Sequence, residues 1–171
     1  MSGPVCVLVG PPGAGKSTVG QALADALGVA FRDTDVDVAA TVGKPIPEIF
    51  VDEGEAFFRQ REREAVVAAL AGFGGVLALG GGAVLDASVR EALTGRPVVY
   101  LTVGLGDAVA RVGLGASRPL LAVNPRATLR HLMEQRRPLY EQVAAHTVDT
   151  DGRDVAAVVD DVRRALAAAR R

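Results

Sequence analysis

Nine residues near the start of the chain, Gly10-Pro11-Pro12-Gly13-Ala14-Gly15-Lys16-Ser17-Thr18, have types and spacing suited to holding phosphate. They fit G-x-x-x-x-G-K-[ST], the phosphate-binding loop of nucleotide enzymes. Glycines let consecutive backbone N–H groups turn inward around phosphate oxygens, and the helix that follows aims its positive end at the same anion. Gly13, Ala14, Gly15, Lys16, Ser17 and Thr18 form the nucleotide cradle. Lys16 adds a mobile cation for the outer phosphates, and the Ser17 hydroxyl is a ligand for Mg²⁺. The loop specifies a nucleotide and leaves the phosphate acceptor open.

Four further groups could supply the acceptor chemistry. Asp33-Thr34-Asp35 puts two carboxylates at a strand end. In an extended segment Asp33 and Asp35 point the same way, so one can face a metal and the other an acceptor hydroxyl. The same pattern also serves as a helix N-cap. Arg59 and Glu62, three residues apart on one helix face, read as a surface ion pair. Beside Phe57 and Phe58, the Arg59 guanidinium could equally bind a carboxylate bidentately. Arg136-Arg137-Pro138-Leu139-Tyr140 places arginines where proline should end or kink a helix, either to enter a cleft or to complement a helix dipole. Residues 113–119 read as a mobile flap carrying Arg118, a cation for the charge that builds on a transferred phosphate.

The elements that must position these groups alternate. Residues 5–9 form a continuous apolar strand, and residues 16–27 a helical stripe of Val19, Ala22, Leu23, Ala26 and Leu27 stopping at Gly28. Further strands are expected at 29–32, 75–79, 97–101 and 147–149. Helices are expected at 37–42, 48–53, 55–70, 87–93, 105–112, 127–135 and 155–171. This order implies an α/β, three-layer P-loop fold: a five-stranded parallel sheet flanked by helices, with ligands at the carboxyl ends of the strands. Gly10, Asp33 and Gly80 all follow strands and should meet at one cleft. Residues 1–171 are expected to form a single domain, with a substrate-binding helical segment at about 33–62 and a lid at about 112–124.

Composition narrows the function. The chain has 171 residues, 49% hydrophobic and 23% charged, and is globular by these figures. A net charge of −1 with 4% aromatics and no tryptophan argues against nucleic acid as the main partner. Cys6 stands alone in an apolar strand and reads as a core residue, while His131 and His146 lack ligand spacing. Residues 66–85 carry no charge, yet their six glycines, at 72, 74, 75 and 80–82, divide them into short pieces unsuited to a membrane span. No signal peptide is expected, and the default location is the cytoplasm.

Together these motifs, in this order and spacing, resemble the shikimate kinases, small relatives of the nucleoside-monophosphate kinases. The resemblance runs from Val5 to about Asp151. It is carried by Gly10–Thr18, Asp33-Thr34-Asp35, Phe58-Arg59 with Glu62, Leu79-Gly80-Gly81-Gly82-Ala83-Val84, Arg118-Pro119-Leu120-Leu121 and Arg136-Arg137-Pro138-Leu139-Tyr140. It implies transfer of the γ-phosphoryl of ATP to the 3-hydroxyl of shikimate, on the route to chorismate and aromatic amino acids. By this likeness Asp35 binds the acceptor hydroxyl and serves as base. Arg59 and Arg136 hold the shikimate carboxylate, and the Gly80, Gly81 and Gly82 backbone approaches the ring hydroxyls. Ser17 binds Mg²⁺ directly, with Asp33 acting through water. Lys16 and Arg118 neutralise phosphates, and Arg111 and Arg153 lie near adenine. The expected partners are ATP and shikimate, with no membrane or nucleic acid, and a monomer is expected.

Two rivals stand beside this reading. A kinase for gluconate or a nucleoside monophosphate would share the phosphate loop, but would not obviously want the trio Asp35, Arg59 and Arg136. A non-catalytic binding relative would tolerate loss of Lys16, Ser17 or Asp35, and all three are present.

Overall fold

A computed structural model describes residues 3–112 and 124–171. Five strands, β1 (Cys6–Val9), β2 (Phe31–Asp33), β3 (Val76–Ala78), β4 (Val98–Thr102) and β5 (His146–Asp149), form one sheet in the order β2-β3-β1-β4-β5. Every pairing is parallel. Strand β1 is central, with Val7 opposite Leu77 on one side and Val98 on the other. All four of its residues are buried, as a strand covered on both faces requires.

Side chains alternating along β1 split the core into two layers. Cys6 and Leu8 join a cluster with Val19, Leu23, Val158 and Val162 from helices α1 (Lys16–Leu27) and the carboxyl-terminal Val155–Ala168. Val7 and Val9 point the other way, toward Val66, Leu70, Val89 and Tyr140. Those residues come from the Glu55–Gly72, Ala87–Ala92 and Pro125–Val143 helices. In chain order the remaining helices are α2 (Thr34–Val42), α3 (Ile46–Glu53), α4 (Glu55–Gly72), α5 (Ala87–Ala92), α6 (Leu105–Val112), α7 (Pro125–Val143) and α8 (Val155–Ala168). The burial of Cys6 pushes its thiol pKa up to about 12, so it is an inert core group.

Helices α2, α3 and α4 carry a small core of their own. Val38, Ile49 and Phe58 pack there, and the Phe50 and Phe58 rings lie 4.8 Å apart. Burying a side chain the size of Phe58 stabilises by ~2 kcal/mol, which fixes the first turn of α4 where Arg59 begins its reach.

Two local expectations change. The Asp33-Thr34-Asp35 triplet is not extended, because Asp33 is the N-cap of α2. Its Oδ1 accepts from the Asp35 N–H at 2.9 Å, so the chain turns helical at Thr34 and the two carboxylates diverge. The expected helix break at Pro138 is also absent, and α7 runs through it. Pro138 and Glu134, whose carbonyl loses its helical partner, both lie on the exposed face, where water can satisfy that oxygen. Leu139 and Tyr140 pack into the core and hold the helix together beyond it.

Among the described residues no helix is long and apolar enough to cross a membrane.

Candidate active site

The phosphate loop bends where its glycines allow. Gly13 and Gly15 have φ of 85° and 86°, a region costly for other residues, and Gly15 is the N-cap of α1 with no side chain competing for the helix N–H groups. Ala14 is buried with its methyl in the core, so only its backbone serves the loop. Lys16 Nζ donates to Gly10 O at 2.7 Å and Pro11 O at 3.1 Å, which holds its cation over the loop. The Ser17 hydroxyl donates to Asp33 Oδ2 at 2.7 Å. The Asp33 carboxylate therefore does two jobs, one oxygen capping α2 and the other meeting the phosphate loop.

These groups line a cleft of about 450 Å³ at the carboxyl ends of the strands, with Asp35, Gly80, Gly81 and Arg111 on its other walls. Gly80, Gly81 and Gly82 follow β3 and lie beside Asp35 and Glu62, Arg136, and Arg59 respectively. A Cβ on Gly80 would sit 2.5 Å from Asp35 Oδ1 and 2.7 Å from Glu62 Oε2. On Gly81 it would sit 3.6 Å from Arg136 Nη1, and on Gly82 it would collide with the Arg59 guanidinium. A side chain at Gly80 would press on Asp35 and Glu62 and one at Gly82 on Arg59, whereas at Gly81 the tight neighbour is Pro12 at 3.2 Å.

The four charges form one group around this turn, with Glu62 and Arg136 buried and Asp35 and Arg59 partly so. Arg59 Nη1 meets Glu62 Oε1 at 2.8 Å, and Glu62 is only 2% exposed, so this pair is not on the surface. Arg136 is 4% exposed. Among the described residues, Glu62 Oε2, Arg59 Nε and Arg136 Nε are buried without a hydrogen-bond partner. Buried polar atoms of this kind are costly unless a ligand uses them. Burial pushes the Glu62 carboxyl up; Arg59 and Arg136 pull it back, and the Asp35 charge adds to the rise.

That shift has a sign that can be checked. An unfolded glutamate titrates near about 4.3. Here the folded value lies higher, so the Glu62 contribution to stability is fully present below that pH and is lost as pH rises through the folded pKa. The stability of the wild type relative to Glu62→Gln, read from denaturant unfolding, is expected to fall as pH climbs above about 4.3. A flat or rising difference would contradict this reading of the buried carboxyl.

At the other end of the cleft, Arg111 on α6 donates to Gly13 O at 3.1 Å, Thr150 Oγ1 at 3.1 Å and Thr150 O at 3.0 Å. It thereby joins the phosphate loop to the connection after β5. Arg153 turns away from this cleft: it pairs with Asp161 at 2.8 Å and donates to Asp149 O and Ala157 O. Arg118 and the rest of the expected lid between Val112 and Asn124 lie outside the described residues.

A larger cavity, about 980 Å³, opens at the opposite ends of the strands, with Arg90, Arg96 and His146 in its wall. Arg90 and Arg96 are committed to backbone carbonyls. Arg96 donates to Leu70 O at 2.7 Å, near the end of α4, and Arg90 to Val84 O at 2.7 Å. Arginines so placed complement helix carboxyl ends.

Comparison with known proteins agrees with the geometry. The family model described as shikimate kinase matches residues 12–167. A shikimate kinase of Salinispora arenicola is 69% identical over 165 residues, covering 96% of this chain and 99% of the relative. One of Salinispora tropica is 71% identical over 150 residues, covering 88% and 90%. The chain belongs to the shikimate kinase family. The structure of the shikimate kinase from Acinetobacter baumannii in complex with shikimate superposes with a TM-score of 0.90 at 38% identity, covering 99% of this chain and 95% of that one. The fold is thus the P-loop kinase fold of the family, and with it goes ATP-dependent phosphotransfer.

For a shikimate kinase family member, the sequence-derived residues fall into place unevenly. The nucleotide loop, Asp33, Asp35, Gly80, Gly81 and Arg111 line one cleft, and Arg59 and Arg136 lie against the glycine turn beside it. Thr34, Tyr140 and Thr150 were not among the expected site residues, yet they tie its walls together. The Tyr140 hydroxyl donates to Gly81 O at 2.6 Å, and the Gly80 N–H donates to Thr34 Oγ1 at 3.2 Å. Each of the first two sits inside a motif already noted for its charges, and polar residues buried between charged neighbours were the available signal.

Proposed function

We propose that this chain transfers the γ-phosphoryl group of ATP to the 3-hydroxyl of shikimate. The observation that carries this reading is the convergence of Asp35, Arg59 and Arg136 on one glycine turn beside the phosphate loop. A hydroxylated carboxylic acid needs a hydroxyl partner and a carboxylate clamp together. Arg59 and Arg136 supply the clamp, bidentate geometry being the particular strength of guanidinium. Asp35 accepts the hydrogen bond of the 3-hydroxyl and takes its proton. The hydroxyl oxygen then forms the new bond to the γ-phosphorus, and the bond from that phosphorus to the oxygen it shares with the β-phosphate breaks, releasing ADP.

Lys16 and the loop N–H groups bind the phosphates. Arg118 belongs to this reading as the second cation on the transferring group, and Arg111 belongs to it as the adenine side. Ser17 Oγ and Asp33 Oδ2, 2.7 Å apart, are a hydroxyl and a carboxylate of the hard type that suits Mg²⁺. When bound, Mg²⁺ neutralises charge on the β- and γ-phosphates. All the described residues of the site come from one chain, so a monomer suffices. The cytoplasm, where ATP is available, is the matching compartment.

A coupled ADP-release assay tests the reading. Shikimate is expected to drive turnover with Mg²⁺ and ATP, whereas gluconate, quinate and nucleoside monophosphates are not. Folded protein that turned over one of these in preference to shikimate would overturn it.

A further inference from the structure

The glycine turn has a support of its own. Three successive glycines have little intrinsic preference for one backbone shape. The turn closes on itself locally, with Ala83 N–H donating to Gly80 O at 3.1 Å and Leu85 N–H to Gly82 O at 3.1 Å. Those bonds fix its internal shape without fixing where it stands. Two bonds to distant segments do that: Gly80 N–H to Thr34 Oγ1 at 3.2 Å and Tyr140 hydroxyl to Gly81 O at 2.6 Å. The partners are 46 and 59 residues away in sequence.

Both partners are locked. Thr34 is 0% exposed and Tyr140 1% exposed. The Tyr140 ring lies 5.1 Å from that of Tyr100 on β4, which limits the directions its hydroxyl can take. Burial also pushes the Tyr140 pKa upward, so its hydroxyl keeps the proton that it donates.

Their placement on the chain is the telling part. Thr34 lies between Asp33 and Asp35, at the first residue of α2. Tyr140 lies one helical turn after Arg136 on the same face of α7, and both are buried. Each tie therefore joins the glycine turn to the element that presents an acceptor-binding side chain.

We propose that Thr34 and Tyr140 are positioning residues for the phosphate acceptor: they set the depth of the Gly80–Gly82 backbone relative to Asp35 and Arg136. The turn and the two helices then move as one unit. A ligand contacting the acid and the arginine meets the glycine backbone at a fixed distance. With either tie cut, the turn can shift by tenths of an ångström toward or away from the charges that crowd it. The acceptor then loses contacts, while the hydrogen bonds of Lys16 and Ser17 in the phosphate loop are kept.

The inference rests on the reading that shikimate is the acceptor, and steady-state kinetics on the full chain separate the two. Tyr140→Phe, which removes only the hydroxyl, is expected to raise KM for shikimate about fivefold to tenfold, the scale of one buried hydrogen bond. KM for ATP is expected to stay within about twofold, since the hydrogen bonds of Lys16 and Ser17 in the nucleotide loop are unaltered. Thr34→Val is expected to act in the same direction, and Thr34→Ser, which keeps the oxygen, to recover most of that loss. Isothermal titration with shikimate should show matching changes in affinity. If the wild type turns over shikimate and folded Tyr140→Phe or Thr34→Val has an unchanged KM for it, the positioning role is wrong. It is equally wrong if KM rises alike for both substrates, as general loosening of the fold would produce. A wild type with no shikimate turnover at all overturns the underlying reading instead.

Discussion

Asp35→Asn is expected to lower kcat by about 10²- to 10⁴-fold, the range that a positioned general base contributes. The substitution keeps the shape of the side chain and removes its capacity to take a proton. It also leaves the backbone alone, since the bond that starts α2 comes from the Asp35 N–H to Asp33 and not from the side chain. KM for ATP should change little, because Lys16 and the loop N–H groups stay as they are. The check is ADP release at saturating ATP over a range of shikimate concentrations. A kcat within tenfold of the wild type would mean that Asp35 orients the acceptor and takes no proton from it.

The second large effect is expected at Arg136. Arg136→Lys keeps one positive charge, but an ammonium cannot present the paired N–H fork that grips a carboxylate. A charge-assisted, buried contact of this kind is worth about 1.5–3 kcal/mol, so KM for shikimate should rise about tenfold to a hundredfold. The effect on kcat should be smaller, because the carboxylate lies at the end of the acceptor remote from the reacting hydroxyl. Arg136 is 4% exposed on a helix that runs through Pro138, so the lysine has no route to solvent that would relieve the site. Unchanged affinity for shikimate by isothermal titration would remove Arg136 from the clamp.

Much of the fold could be read from residue patterns. The helix at 16–27 lies where the apolar stripe and the terminating glycine put it, and the five strands fall within two residues of expectation. These elements are governed by local rules: periodicity, caps and a short apolar run. The two local errors came from tertiary effects overriding local ones. At Asp33 the helix cap competed with the extended strand end and won, with α2 packed against α4. At Pro138 the proline landed on the solvent face, so its lost hydrogen bond cost too little to stop a helix whose next turn is buried.

The site divides along the same line. Glycines that bend a loop, a lysine and a hydroxyl next to it, and paired acids after a strand follow from chemistry that short stretches of chain carry by themselves. The sequence alone therefore determined the donor side: a nucleotide held on Gly10–Thr18, with Ser17 and Asp33 nearby. It could not decide whether Arg59 was a surface ion-pair partner or part of a binding site, because that depends on how deeply Glu62 is buried. Only the folded chain placed Arg59, Glu62, Asp35 and Arg136 around one glycine turn, with Thr34 and Tyr140 supporting it from elements 46 and 59 residues away. Contacts across such separations depend on strand order and helix packing, which no single stretch of sequence encodes. The phosphate end is local because a loop and one helix suffice to bind an anion, whereas the group around the glycine turn is tertiary because three helices, α2, α4 and α7, must meet there.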